Sequence, residues 1–325
     1  MVRVPARLAE SPTMPASETP AGSAHAKAIL IGEHAAVYGH PAIALPITPL
    51  RTVAEVHRSP GPLRLNSAGR SLAVSELPGR FASVGVAATT ALEFFGLPPA
   101  DLEIAVRSGI PPQAGLGASA AAANAIVEAV RSYAGLALDE ADRFELVQAA
   151  ERVAHGNPSG IDAYAARALE PFLFAAGVAS PLPLGAPVRF VVADTGVRAS
   201  TDEAVTGVRQ LVDTDPDHGS ALLARLGELT REAAGNLEHG RLSDFGKRLS
   251  IAQEILTELG VGHPAIDRLV TAAESAGAAG AKLTGAGRGG CVIAVTGDAD
   301  QAQQVQTAMT AAGAVAVWIV TAGAT

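Results

Sequence analysis

Disulfide chemistry is closed to this sequence, because its 325 residues include one cysteine, Cys291, and no intrachain bridge can form. Cys291 lies in the apolar run CVIAV, which reads as a strand, where a thiol packs as a small hydrophobe. That usage predicts a reducing cytoplasm. Basic runs are missing as well. Lys and Arg number 24 against 32 Asp and Glu, a net charge of −8, and no cluster is long enough to neutralise a phosphate backbone or an anionic bilayer. Nucleic acid and membrane are therefore not expected as partners. No stretch approaches the roughly 20 uninterrupted apolar residues of a spanning helix, and the N-terminal residues lack the apolar core of a secretory signal. No internal repeat is visible, which argues against a repeat array.

What is present suits a globular chain. Hydrophobic residues make up 48% and charged residues 17%, enough to bury a large core and to divide it between two domains. Residues 1–22, rich in Pro, Ser, Thr and Ala, are expected to form a loose tail. Strands are predicted at AKAILIG (26–32), HPAIALPI (40–47) and RTVAEVHR (51–58), a helix at 81–95, and a strand at DLEIAVRS (101–108). Two further helices follow, ASAAAANAIVEAVRSYAG ending at Gly135, and residues 139–156 with acids in the first turn and a glycine stop. Three prolines in SPLPLGAP (180–187) break the pattern, which places a boundary between one domain at 23–186 and another at 187–325. Beyond it, strands at 188–194, 289–295 and 314–320 enclose two or three helices between about 219 and 277 and a last one near 299–312. This order predicts an α+β fold.

Several stretches carry chemistry. PPQAGLGASAA (111–121) is a glycine-rich turn entering a helix, where close backbone approach, outward N–H groups and the helix dipole favour a phosphate. The same glycines also suit a plain strand-to-helix turn. The Walker form is ruled out because no lysine follows, and the dinucleotide form fails because a second helix follows where it needs an acid-ended strand. Lys27 opens an apolar strand, where its ammonium either has a task or snorkels to the edge. Glu33 and His34 stand in the loop after that strand. KLTGAGRGGC (282–291) has four glycines in six residues, as a hairpin or a second ligand loop does. Asp162, just after the turn GNPSG, reads alone as a helix cap.

Together, AKAILIGEHAAVYGHPAIAL, PPQAGLGASAA, HGNPSGIDA and KLTGAGRGGC resemble, in order and approximate spacing, the motifs of the GHMP small-molecule kinases, over about residues 24–320. The resemblance implies an α+β GHMP kinase fold, with an N-terminal domain like ribosomal protein S5 domain 2 and a ferredoxin-like C-terminal domain. It implies phosphoryl transfer from ATP with Mg²⁺. By the match, Asp162 lies beside the alcohol as base or orienting acceptor, and Lys27 stabilises the alkoxide and the transferring group. Pro111, Gly115, Leu116, Gly117, Ala118, Ser119 and Ala120 form the ATP phosphate loop, and Ser119 and Glu151 hold the metal. Lys27, Glu33, His34, Asp162, Thr201, Gly285 and Ala286 fall on the substrate side. GEHAAVYG and HGNPSGID are most similar to the members that phosphorylate mevalonate, with phosphomevalonate or a sugar as the alternative substrate and a homodimer as a possible assembly. A non-catalytic sensor is disfavoured because the named catalytic and metal-binding positions are all filled. The sequence departs from the family pattern at His25-Ala26, where Pro-Gly is usual, at Ala118, where serine is usual, and at Arg288, where glycine is usual. Arg288 either strains a backbone position that needs positive φ or adds a phosphate contact.

Overall fold

The structure, a computed structural model, describes residues 19–156 and 158–323. In chain order these form β1 (Ala21–Ile31), β2 (Ala42–Pro62), β3 (Arg64–Ser67), β4 (Arg70–Ala73), α1 (Ala82–Phe94), β5 (Ala100–Ser108), α2 (Ala118–Ala134), α3 (Glu140–His155), α4 (Ile161–Ala165), β6 (Phe172–Ala175), β7 (Val178–Pro181) and β8 (Val188–Asp194). There follow α5 (Thr201–Thr214), α6 (Pro216–Glu238), α7 (Leu242–Glu258), α8 (Pro264–Ser275), β9 (Gly280–Thr284), β10 (Cys291–Thr296), α9 (Ala299–Ala311) and β11 (Ala316–Ala322). Of the expected tail, residues 1–18 lie outside the described residues, and its last two, Ala21 and Gly22, open β1.

The chain forms two compact units that interleave in sequence. One holds residues up to Ala26, Pro49–Ile110 and Gly117–Arg167; the other holds Lys27–Thr48, Pro111–Leu116 and Ala168 onward. By compactness, then, the chain does not divide at a single cut near residue 186. The strands expected at 40–47 and 51–58 are one strand, β2. Its register pairs Ala42–Ala44 with β6 and resumes with β5 only at Thr52, so Pro46 and Pro49 fall between the two ladders, where a missing N–H costs neither of them a bond.

In the first unit β2, β5, β3 and β4 lie side by side, with β3 parallel to β5 and the other pairs antiparallel. α2 packs against α1 and α3 and buries a run of alanines, Ala120–Ala123, with Ile126, Val127 and Val130. The small side chains let the backbone of β1 lie directly on this helix: a Cβ at Gly22 would stand 2.3 Å from the Ala125 carbonyl oxygen.

The second unit holds β6 and β7, antiparallel beside the start of β2, and an antiparallel sheet in the order β11-β8-β10-β9. β8, β9 and β10 are almost wholly buried, and α7, α8 and α9 pack against this sheet. Cys291 is buried at the start of β10, as its apolar run predicts, and burial pushes its thiol well above the ordinary range. α5 was not anticipated, whereas α6, α7 and α8 fill the segment expected to hold two or three helices.

Candidate active site

The first unit brings Ser119, Glu151 and Asp162 onto three consecutive helices. α2 starts at an N-cap, Gly117, in the left-handed region, with no side-chain cap hydrogen bond and no acid in the first turn, an N-terminus of the kind at which an anion is favoured. Ser119 stands in that turn and donates its Oγ–H to Glu151 Oε1 at 2.6 Å. Glu151 is buried on α3, and its other oxygen lies 3.9 Å from His155 Nε2. Two cis ligands of an octahedral Mg²⁺, at about 2.1 Å each, lie about 3.0 Å apart, so this hydroxyl and carboxylate, 2.6 Å apart, need only a small separation to fit the edge of such an ion. Among the described residues no group of three or more His, Cys, Asp or Glu is placed to hold a metal, and Mg²⁺ characteristically keeps waters and substrate phosphates for its remaining positions.

Asp162 is half-buried in the first turn of α4. Its placement depends on Gly160, whose φ of 90° suits glycine and whose absent Cβ leaves room for Phe144 of α3. Phe144 stacks on Tyr164 of α4 at 4.7 Å, and Asn124 of α2 donates to the carbonyls of Ala120 and Ala163. His25 holds the far end of α4, its N–H donating to the Ala166 carbonyl at 3.0 Å. Its buried imidazole has a lowered pKa, from desolvation first and then from the charges of Arg51 and Arg167.

The second unit collects the remaining residues. Lys27 is buried in β1, and its N–H donates to the carbonyl of Leu116, the residue directly before Gly117. The turn after β1 requires Gly32, at φ 101°, because a Cβ there would stand 2.5 Å from the Pro41 carbonyl oxygen. Beyond it Glu33 and His34 are both buried rather than open to solvent. His34 has φ 61°, and its Nε2 lies 3.0 Å from the Ala286 carbonyl. Burial lowers its pKa to about 4, against the raising effect of that bond and with Lys282 and Arg288 adding their repulsion. The imidazole is therefore neutral and donates to Ala286.

The two glycine-rich loops meet within this unit. A Cβ on Gly285 would lie 3.0 Å from the Gly115 carbonyl oxygen, and one on Gly290 would lie 3.0 Å from that of Ala114, so backbone rests on backbone. Thr284 ties the loop base to β1, its hydroxyl accepting from Ile29 N–H at 2.8 Å and donating to Ile29 carbonyl at 2.9 Å. Arg288 does occupy positive φ, 57°, and its guanidinium donates to the carbonyls of Gly260 and Glu203, which accounts for its hydrogen bonds without a phosphate. Thr201 is exposed at the first position of α5, after the N-cap Ser200.

The structure adds three features here. Lys282, wholly buried in β9, forms an ion pair with Glu33. Asp194, buried at the end of β8, holds Arg198 through paired bonds of 2.7 and 2.8 Å. Gln253 of α7 accepts from Leu283 N–H at 2.8 Å. A lysine inside an apolar strand was the one available signal, and it was as visible at Lys282 as at Lys27.

Comparison with known proteins bears on the family of the chain. A family model described as GHMP kinases N terminal domain matches residues 82–168, and one described as GHMP kinases C terminal matches residues 233–315. The mevalonate kinase of Aeropyrum pernix is 35% identical over 285 residues, 83% of this chain and 86% of that protein. That of Pyrococcus horikoshii is 34% identical over 316 residues, 90% of this chain and 92% of the relative. The crystal structure of L. major mevalonate kinase in complex with R-mevalonate is 25% identical, with a TM-score of 0.80 over 94% of this chain and 96% of that one. By family match, identity and fold, the chain belongs to the GHMP kinases, in the branch of the mevalonate kinases.

Proposed function

We propose that the chain transfers the γ-phosphoryl group of ATP to the 5-hydroxyl of (R)-mevalonate, giving 5-phosphomevalonate. The observation that carries phosphoryl transfer is the Ser119–Glu151 pair in the first turn of an uncapped helix, and kinship with mevalonate kinases supports the choice of alcohol. Ser119 and Glu151 would hold Mg²⁺, which when bound would offset negative charge on the nucleotide phosphates. Residues 115–120 present backbone N–H groups and the positive end of α2 to those phosphates, and Pro111, which has no N–H to give, lies on the approach to this loop. Asp162 accepts the hydrogen bond of the attacking hydroxyl and so orients it, and takes its proton as the bond to phosphorus forms. Lys27 supplies the cation that matters most while charge is in flight. Glu33, His34, Thr201 and the backbone of Gly285 and Ala286 receive the rest of the alcohol.

The state of the neighbouring cations favours mevalonate over phosphomevalonate. A second substrate phosphate recruits Arg or Lys, yet Lys282 is paired with Glu33, Arg198 with Asp194, and Arg288 with two carbonyls. A coupled ADP-release assay over mevalonate, phosphomevalonate, homoserine and galactose tests the reading. The expected kcat/KM for mevalonate is at least about a hundredfold above the others. Asp162→Asn should lower kcat by about two orders of magnitude or more with little change in ATP binding, and turnover within a few-fold of the parent would remove Asp162 from the mechanism.

A further inference from the structure

We propose that Arg288 is a positioning residue for the alcohol: its guanidinium straps the first turn of α5 to the second glycine-rich loop and so holds the segment that carries Thr201 where it receives substrate. This rests on the kinase reading above and deepens it, because it puts the fit of the alcohol under the control of a side chain engaged with protein carbonyls.

Two local costs meet at one point. Arg288 has φ 57°, in the left-handed region that suits glycine and disfavours a longer side chain. Gly207 lies in the middle of α5, where glycine forms helix less well than alanine. A Cβ on Gly207 would stand 2.3 Å from Arg288 Nη2, so the guanidinium fills the place that the missing side chain leaves. Its Nε donates to the Gly260 carbonyl at 3.3 Å and its Nη1 to the Glu203 carbonyl at 3.4 Å, while the Arg288 backbone N–H donates to the Val261 carbonyl at 2.7 Å. A carbonyl has two lone pairs, so Glu203 can accept this bond and keep its place in the helix ladder. One residue thus joins the loop, the turn after α7 and the start of α5.

α5 needs such a strap. Of its 14 residues only Ala204 and Val208 are buried, and a helix that buries so little stands at the low end of local stability. The stretch before it is fastened to the same loop. Thr195 N–H donates to the Gly290 carbonyl and Gly290 N–H to that of Val197, each at 2.9 Å, and a Cβ on Gly289 would stand 2.8 Å from the Val197 carbonyl oxygen. Asp194 then fixes Arg198, and Arg288 takes hold again at Glu203, so Thr201 lies on a span held at both ends. Releasing one end lowers the share of molecules with the span in place, and the apparent affinity for the alcohol falls by that share. The groups that act on the phosphoryl group are left as they were, so the effect belongs to KM and not to kcat.

The test uses two variants that cut the strap from opposite sides. Arg288→Asn removes the guanidinium and keeps a residue that tolerates the positive φ. Gly207→Ala expels the guanidinium and leaves the loop sequence intact. Each should raise the KM for mevalonate about three- to tenfold, the range for a pair of weak hydrogen bonds, with kcat and the KM for ATP within about twofold of the parent. The double variant should rise no further than the larger single effect, because both changes break the same contact. Hydrogen exchange read by mass spectrometry should show the amides of residues 201–208 exchanging faster in Arg288→Asn, with α7 and α8 unchanged. A mevalonate KM that rises less than about threefold in either variant, an equal rise in the ATP KM, single effects that multiply in the double variant, or unaltered exchange in α5 overturns the proposal. A parent that does not phosphorylate mevalonate refutes the kinase reading and this inference with it, whereas a turning-over parent with an unaltered mevalonate KM in both variants refutes this inference alone.

Discussion

Replacing Gly160 with alanine should separate the placement of Asp162 from its chemistry. Gly160 has φ 90° and ψ −12°, a conformation that costs an L-residue about 1–2 kcal/mol. The added Cβ would lie 2.9 Å from Phe144 Cζ and 3.2 Å from its Cε2, and 3.3 Å from Gln148 Nε2. The ring cannot simply swing away, because it stacks on Tyr164 at 4.7 Å, on the same short helix that carries Asp162. Overpacking of this kind adds about 1–3 kcal/mol, so the expected loss is roughly 3 kcal/mol in all. Any relief that shifts α4 moves Asp162, two residues on, and a displacement of about 1 Å at a reacting group costs up to about a hundredfold in rate. Urea unfolding followed by circular dichroism should report the stability loss, and steady-state kinetics a fall in kcat of ten- to a hundredfold. Phe144→Leu in the Gly160→Ala background should return the steric share of the loss and leave the φ share. A Gly160→Ala protein within 0.5 kcal/mol and twofold in kcat of the parent, on the scale of a neutral surface change, would show that the turn does not set Asp162.

The elements that sequence predicted well have local causes. α2 and α3 end where Gly135 and Gly156 stop them, and α3 starts where Asp139 accepts from Asp142 N–H at 2.8 Å, a cap legible in the letters. The hairpins β3–β4 and β6–β7 went unread because their turns place alanine, Ala68 and Ala176, at positive φ before Gly69 and Gly177. Such turns announce themselves by Asn-Gly or Asp-Gly, and alanine there carries no signal. The glycine loops, Lys27, Ser119 and Asp162 were legible as motifs. The Glu33–Lys282 pair joins residues 249 apart in sequence, and only the tertiary fold makes it. The same holds for Arg288: its positive φ was foreseeable from the glycine it replaces, but its carbonyl partners on two other segments were not.

Three further outcomes are expected. Ser119→Ala and Glu151→Gln should each raise the Mg²⁺ concentration for half-maximal activity, and unchanged midpoints in both would leave Ser119 a helix-start residue and Glu151 a buried acid. Acid should destabilise the fold through His34: its folded pKa of about 4 lies below the unfolded value of 6.5, so the unfolded chain binds the proton better. Its contribution is complete above pH 6.5 and is lost as pH falls toward 4, at up to about 1.4 kcal/mol per pH unit. His34→Asn, which removes the titrating ring, should flatten that slope, and an unaltered slope would refute the assignment. The last concerns Arg288 and Gly207, which faces it from α5. A Cβ on Gly207 would lie 2.3 Å from Arg288 Nη2, the end of a flexible side chain, so alanine there expels the guanidinium from its bonds to Gly260 and Glu203. Those bonds are long, 3.3 and 3.4 Å, and losing them costs about 1 kcal/mol. Alanine in place of glycine inside a helix returns about 1 kcal/mol, so Gly207→Ala should be nearly neutral in the parent. In an Arg288→Gly background nothing is expelled, and the same change should stabilise by about 1 kcal/mol. Equal effects of Gly207→Ala in the two backgrounds would mean that Arg288 does not rest on α5.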